Sequence, residues 1–181
     1  RVRDAGATVV HIHYRRQEPG MGQLPTWDPE VCAAIVDAIR ADLPGAKQLV
    51  VVGAGYIGLE AAASARHLGL EVTVLEMADR PMNRVVAPEL STFYTRRHER
   101  EGVRILCNTS VTAFAGEGRV RGVACGEREF PADLVIVLVK SFHTEAAIEG
   151  YKSAVGAQTI VMSLQNGLGH EEVLAQAVGR E

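Results

Sequence analysis

The sequence predicts an α/β protein with a Rossmann-like, doubly wound and mostly parallel sheet. Short apolar strands alternate with helical segments along most of the chain, which is typical of a parallel sheet with helices on its faces. The strand segment at 47–53 is apolar without alternation, as expected for a strand that is covered on both faces. A short antiparallel excursion is predicted at 110–130, as two strands around a Gly116–Gly118 turn.

The individual elements follow from apolar runs and from the residues that interrupt them. Segment 28–45 begins with an Asp cap and a Pro in the first turn and ends at Pro44-Gly45, which predicts a helix. The helix at 56–69 ends at Gly69. In the helix at 87–102 the inner side is predicted to hold Leu90, Phe93, Tyr94 and the Arg97 stem. The other predictions are strands at 7–14, 47–53, 71–76, 103–108, 132–140 and 158–163, and helices at 144–154 and 168–178.

The composition is that of a globular protein and argues against several classes of partner. The 181 residues are 47% hydrophobic with a net charge of -3, so there is no basic excess for binding nucleic acid. No apolar run reaches the about 20 residues of a membrane span. The three cysteines are widely spaced, which argues against a disulfide framework and favours a cytoplasmic location. The oligomeric state stays open.

A glycine-rich loop gives the best-supported candidate site. Gly53, Gly55 and Gly58 form G-x-G-x-x-G between a predicted strand and a predicted helix, with Tyr56 and Ile57 between the last two glycines. The first glycine permits the tight turn, the second lets a pyrophosphate approach the backbone, and the third lets the helix pack closely. The amides at the start of the helix can then bind phosphate. We expect all five residues to contact a dinucleotide cofactor.

An acid at the end of the next strand indicates which dinucleotide is bound. Glu76 lies where a carboxylate accepts hydrogen bonds from the adenosine ribose and repels a 2′-phosphate. This favours NAD(H), while NADP(H) is an alternative because Arg80 lies close enough to soften that preference. Arg80 is therefore counted with the cofactor residues.

The middle of the chain resembles a known family. The stretches "VVGAGYIGLEAAASARHLGLEVTVLE", "RPMNRVVAPELSTFY" and "GVRILCNTSVTAFAGEGRVRGV", within about 48–135, are similar to the NADH-binding domain of FAD-dependent ferredoxin and rubredoxin reductases. This resemblance, to the pyridine nucleotide-disulfide oxidoreductases, implies that Gly53, Gly55, Gly58 and Glu76 bind the cofactor. Those enzymes also have a separate FAD domain. Because no FAD half and no redox CxxxxC are present in this chain, we expect FAD to be unlikely.

The C-terminal third resembles a second family. "PADLVIVLVKSFHTEAAIEG" and "TIVMSLQNGLGHEEVLAQAVG", at about 132–179, look like ketopantoate reductases of the ApbA/PanE type. The resemblance implies that Lys140 and Asn166 line the nicotinamide and substrate cleft, and a small keto acid is then the substrate. The alternative is ordinary turn chemistry at Asn166-Gly167, with Lys140 as a solvated strand end.

The N-terminal unit resembles a third family. "HIHYR" followed by "G.LPTWDPE", within about 5–45, is similar to the zinc-dependent β-keto acid cleavage enzymes, in which both histidines of H-x-H bind zinc. Here these would be His11 and His13, which share one face of a strand. No third ligand is indicated, so zinc is an unlikely cofactor.

These resemblances suggest a chimeric chain with a βα unit at 1–45 and a dinucleotide-binding domain at 46–181. The favoured function is an NAD(P)(H)-binding module that was assembled from oxidoreductase pieces and lacks complete catalytic machinery. The alternative is an NAD(P)H-dependent oxidoreductase acting on a small keto acid, and a minor one is the remnant of a zinc-dependent lyase. Whether the chain is an enzyme stays open.

Overall fold

The computed structural model describes residues 9–11, 45–117, 120–138 and 161–163. The elements in chain order are β1 (Val9–His11), β2 (Gln48–Val52), α1 (Tyr56–His67), β3 (Glu71–Leu75), α2 (Pro88–Arg100), β4 (Val103–Leu106), β5 (Ala113–Ala115), β6 (Gly122–Cys125), β7 (Arg128–Pro131), β8 (Leu134–Val137) and β9 (Val161–Ser163).

The main sheet is parallel and has the order β4-β3-β2-β8. The chain moves outward from β2 through α1 to β3 and through α2 to β4, and later returns to the other side of β2 as β8. The direction of winding therefore reverses between β2 and β8, which is where open α/β sheets bind their ligands. The predicted fold class, a Rossmann-like α/β sheet with a short antiparallel excursion, is confirmed.

Each face of this sheet has its own covering layer. On one face, Leu49 and Val51 of β2 pack in a buried cluster with Leu59 and Ala62 of α1, and Tyr94 of α2 packs against the same cluster. On the other face, the buried cluster contains the β2 and β3 residues Val50 and Leu75 together with residues of the antiparallel strands, among them Val123 and Phe130. Alternate β2 residues thus enter opposite clusters, which explains its uninterrupted apolar sequence.

The antiparallel excursion has three strands rather than the two expected. β5 pairs with β6, and β6 pairs with β7, in the order β5-β6-β7. The extra strand arises because the chain turns again at Gly126, where φ is +63°. Phe130 of β7 then points into the second cluster with only 6% of its surface exposed. The prediction of two strands was wrong because β7 is short and carries mostly exposed side chains.

The first and last described strands pair with each other. β1 and β9 form a parallel two-stranded sheet, with Val10 opposite Met162. These strands fall within the segments expected at 7–14 and 158–163, whose other residues lie outside the described ones. The helices expected at 28–45, 144–154 and 168–178 lie outside the described residues, and the division of the chain at 45/46 stays a prediction.

Helix α2 is rotated relative to the predicted orientation. Ser91 is buried, and Tyr94 is partly buried against the cluster on the helical face. Tyr94 lies on the inner side as expected, but the expectation was wrong for Leu90 and Phe93, which are 49% and 60% exposed, and for Arg97, whose side chain is exposed. Hydrogen bonds explain the rotation, because Ser91 bonds to the carbonyl of Pro81 and His98 bonds to the carbonyl of Leu59 on α1.

Candidate functional site

The glycine loop, Gly53–Gly58, leaves β2 at the reversal point of the sheet. The Gly53 amide donates to the carbonyl of Leu75 at the end of β3, over 2.8 Å. Gly53 has φ +107°, and a Cβ atom there would lie 2.8 Å from the carbonyl oxygen of Leu138, just after β8. Only glycine meets both conditions, so the turn predicted for this residue is present.

The other two glycines of the motif have opposite surroundings. A Cβ atom on Gly58 would lie 2.0 Å from the carbonyl oxygen of Gly53, so this glycine allows α1 to approach the loop. A Cβ atom on Gly55 would have no neighbour within 4 Å among the residues that the structure describes. The space beside Gly55 is therefore open, as a loop that admits a pyrophosphate requires.

The start of α1 presents backbone amide donors beside that space. Gly55 is the N-cap residue, and no side chain caps the helix. The Leu59 amide bonds to the carbonyl of Gly55 over 3.0 Å, so the amides of Tyr56, Ile57 and Gly58 precede the first intrahelical bond. Tyr56 and Ile57 are 51% and 43% exposed at this edge. An anionic group beside Gly55 would meet both these amides and the positive end of the helix dipole.

Glu76, the predicted acid just after β3, is hydrogen-bonded to the glycine loop. One carboxylate oxygen accepts the Ala54 amide at 2.7 Å, and the other accepts the Ala78 amide at 2.9 Å. Its backbone amide donates to the carbonyl of Leu106 at the end of β4 over 2.9 Å. The predicted acid and the predicted loop thus lie together at the carboxyl edge of the sheet.

A segment that the sequence did not mark as functional also touches this loop. Met82 donates its amide to the carbonyl of Ala54 over 3.0 Å, and it is a buried non-glycine residue with φ +51°. Arg80, whose contact with the cofactor stays a prediction, donates to the carbonyls of Asn83 and Val86 and to the Ser91 hydroxyl. Pro81 and Asn83 predict a turn in this segment, but no residue type there predicts that the Met82 amide bonds to the Ala54 carbonyl.

The thiol of Cys107 lies near the acidic side of the site. Burial raises its pKa above the ordinary value, and the negative charges of Glu76, Asp79 and Glu99 raise it further. We therefore expect a protonated, poorly nucleophilic thiol at neutral pH.

Other predicted site residues fall outside this edge. Lys140, Asn166 and His13 lie outside the described residues, and only the backbone of His11 is described, within β1. Across residues 9–11, 45–117, 120–138 and 161–163, no group of three His, Cys, Asp or Glu side chains could hold a metal ion. None of the helices described has the length and apolar character needed to cross a membrane.

A protein-family model for pyridine nucleotide-disulphide oxidoreductases matches residues 21–157, well over half of the chain. The chain belongs to the pyridine nucleotide-disulphide oxidoreductase family. The match extends beyond both ends of the segment for which this family was predicted and across both expected joins. It supports the first of the three resemblances and lends no support to the ketopantoate reductase and keto acid cleavage resemblances or to a chimeric origin.

Comparison with individual proteins also shows similarity to reductases of this family. A ferredoxin–NAD(P)(+) reductase from Sphingomonas sp. is 43% identical over 106 residues, which cover 58% of this chain and 26% of that protein. The ferredoxin reductase for the CYP199A2 system from Rhodopseudomonas palustris is 47% identical with a TM-score of 0.53, over 57% of this chain and 26% of that one. A FAD-dependent pyridine nucleotide-disulphide oxidoreductase from Desulfovibrio vulgaris is 28% identical with a TM-score of 0.54, over 75% and 30%.

The expectation that FAD is unlikely was wrong. It depended on the missing flavin half, yet the chain belongs to a family with a member described as FAD-dependent. This pyridine nucleotide-disulphide oxidoreductase chain spans about a quarter of the length of the curated relatives it matches. Residues missing from such a stretch therefore say nothing about the cofactors of a whole protein, and they give no ground for excluding FAD.

Proposed function

We propose that the main sheet binds NAD(P)H as the dinucleotide-binding unit of a flavin-dependent, ferredoxin-type reductase. The observation that carries this proposal is the 2.7 Å hydrogen bond between the Glu76 carboxylate and the Ala54 amide. That contact brings an acid at a strand end next to a glycine-rich loop, and these are the groups that a dinucleotide site uses for the ribose and for the phosphates. Family membership supports the same assignment.

The residues at this edge divide the recognition of the dinucleotide between them. The amides at the start of α1 donate to the pyrophosphate, which approaches over Gly55 because no side chain of the described ranges fills that space. Glu76 keeps unused lone pairs on both carboxylate oxygens, and these accept hydrogen bonds from ribose hydroxyl groups. The nicotinamide, when bound, supplies two-electron reduction chemistry. The protein contributes binding and orientation.

The electron acceptors of the whole protein follow from its relatives. We infer that FAD takes electrons from the nicotinamide and that a ferredoxin receives them, since the related proteins are a ferredoxin–NAD(P)(+) reductase and a FAD-dependent oxidoreductase. No described residue is assigned to either partner.

Titration with NADH and with NADPH, followed by nicotinamide fluorescence and thermal shift, tests the proposal. We expect saturable binding by the parent chain. Gly55→Val should weaken it by about tenfold or more, because the new side chain occupies the space through which the pyrophosphate approaches. The matched control is Ala63→Val, which brings the same side chain to an exposed position further along α1.

The controls decide between binding and folding. Far-ultraviolet circular dichroism should give the same spectrum for the parent and both variants, because Gly55 has no neighbour for a Cβ atom to displace. A parent chain that responds to neither coenzyme at millimolar concentration would refute the proposal. If Gly55→Val and Ala63→Val bound the coenzymes with equal affinity, the glycine loop would not be the site of coenzyme binding.

A further inference from the structure

Arg80 and Ser91 form a hydrogen-bonded clip beside the candidate site. The Arg80 guanidinium donates to the Ser91 hydroxyl at 2.7 Å, and that hydroxyl donates to the carbonyl of Pro81 at 2.6 Å. The same guanidinium donates to the carbonyl of Val86 at 2.9 Å and to that of Asn83 at 2.8 Å. Ser91 is 2% exposed, so its two bonds are protected from water.

The clip closes a short loop, residues 81–86, against the start of α2. Three carbonyl groups in this loop accept hydrogen bonds from the clip. Met82 lies inside the loop at φ +51°, a conformation that a non-glycine residue keeps only when its surroundings hold it. Its side chain is 4% exposed and belongs to the same buried cluster as Ala54 and Leu59.

Met82 connects this loop to the glycine loop. Its amide donates to the carbonyl of Ala54 over 3.0 Å, while the amide of Ala54 donates to Glu76 over 2.7 Å. Both polar backbone groups of Ala54 are therefore held, the amide by the Glu76 carboxylate and the carbonyl by the Met82 amide of the clipped loop. Ala54 directly precedes Gly55, so its placement sets where the phosphate-binding amides lie.

We propose that Arg80 and Ser91 are positioning residues for the dinucleotide site, acting through Met82 on Ala54 and Gly55. This rests on the proposed function, since it concerns how the same site is held for its ligand. It assigns Arg80 a role other than contact with a 2′-phosphate, because three of its bonds are committed to the loop and Ser91. A positioning residue affects how the site binds the pyrophosphate, which NADH and NADPH share. A change at such a residue should therefore weaken the binding of both coenzymes alike.

The experiment compares Arg80→Met, Ser91→Ala and the double variant with the parent. Dissociation constants for NADH and for NADPH are measured at a temperature where every variant is folded. We expect each single change to weaken both coenzymes by about three- to tenfold, with the ratio between them unchanged. The double variant should be no weaker than the weaker single variant, because the two residues act as one unit.

A matched control and a measurement without ligand complete the test. Thr92→Ala removes the neighbouring hydroxyl, which is exposed and bonds to the carbonyl of Pro88 within α2, and it should bind both coenzymes as the parent does. Hydrogen exchange of the Met82 amide without ligand should be faster in Arg80→Met and Ser91→Ala and unchanged in Thr92→Ala. If Ser91→Ala does not fold, Arg80→Met carries the test, because Arg80 is only half-buried.

Three results would overturn the inference. Weaker binding of NADPH alone would make Arg80 a 2′-phosphate ligand. Parent-like dissociation constants together with a lower thermal midpoint would leave the clip a role in stability only. Unchanged exchange of the Met82 amide in Arg80→Met and Ser91→Ala would contradict the claim that these residues act on Ala54 through Met82. A parent chain that binds neither coenzyme would instead refute the proposed function itself, and the role in the site would fail with it.

Discussion

At the scale of single residues, the three motif glycines differ in what a side chain would meet. We predict that Gly58→Ala lowers the free energy of unfolding by about 1–3 kcal/mol, because its Cβ atom would lie 2.0 Å from the Gly53 carbonyl oxygen and the helix must move. Thermal unfolding of the isolated variant measures this loss. Gly55→Ala is the control and should cost less than about 1 kcal/mol, since only a cap preference changes. Equal losses would contradict the close approach at Gly58.

The two described cysteines should titrate differently when their charged neighbours are removed. Burial first, then Glu76, Asp79 and Glu99, raise the pKa of Cys107 above the ordinary value of 9.0. In a variant with Cys107 as its only cysteine, we expect the rate of alkylation by iodoacetamide to rise with a midpoint above that value. Glu76→Gln should shift the midpoint down without reaching 9.0, because burial remains.

Cys125 provides a comparison with the opposite charge. Burial raises its pKa and the positive charge of Arg128 lowers it, so Arg128→Gln should move its alkylation midpoint upward. For both thiols the folded chain holds the proton more tightly than the unfolded chain. Their contribution to stability is therefore complete below about pH 9 and is lost as the pH rises through the folded-state pKa. A downward shift in Arg128→Gln would contradict this assignment of charges.

Single residues also show the limit of sequence-based prediction for this site. Gly53, Gly58 and Glu76 lie where their motif predicts, because each has a local mechanical role that residue type and spacing express. Met82 could not be predicted, since a methionine at φ +51° is unfavourable by itself. It is held there by burial and by the Ala54 carbonyl, and both depend on contacts distant in sequence.

At the scale of elements, buried and exposed apolar residues should have very different effects on stability. Leu49 on β2 is 1% exposed, and Leu49→Ala should cost about 2–5 kcal/mol because it leaves a cavity between sheet and helices. Phe93 on α2 is 60% exposed and touches Tyr94 edge to face, so Phe93→Ser should cost less than about 1 kcal/mol. Urea unfolding gives both values. A comparable loss for Phe93→Ser would place it inside a core.

Element boundaries were predictable where special residues marked them, and orientation was not. The helix predicted at 56–69 is observed as Tyr56–His67 and ends just before Gly69, whose φ is +86°. The inner face of α2 was assigned from amphipathicity to Leu90, Phe93, Tyr94 and the Arg97 stem, and of these only Tyr94 packs against the core. Hydrogen bonds of Ser91 and His98 decide the rotation instead, and these polar side chains carry no hydrophobic signal.

At the scale of the whole molecule, β2 connects both layers of the fold. It lies between β3 and β8, contributes Leu49 and Val51 to the cluster with the helices, and contributes Val50 to the cluster with the antiparallel strands. An opening that frees β2 must therefore disrupt both clusters. We predict that the Val50 and Val51 amides exchange with solvent only through global unfolding.

The edge strand β5 should behave differently. It pairs only with β6 among the described strands, and its residues are exposed or half-buried, so its amides should exchange through local opening. Native-state hydrogen exchange at increasing denaturant separates the two cases, since only global opening depends steeply on denaturant.

Leu49→Ala and Phe130→Ala, which affect opposite clusters, should each lower the exchange free energy of Val50 by the same amount as global stability. If Phe130→Ala left Val50 unaffected, the antiparallel layer would unfold independently and the two layers would not form one cooperative unit.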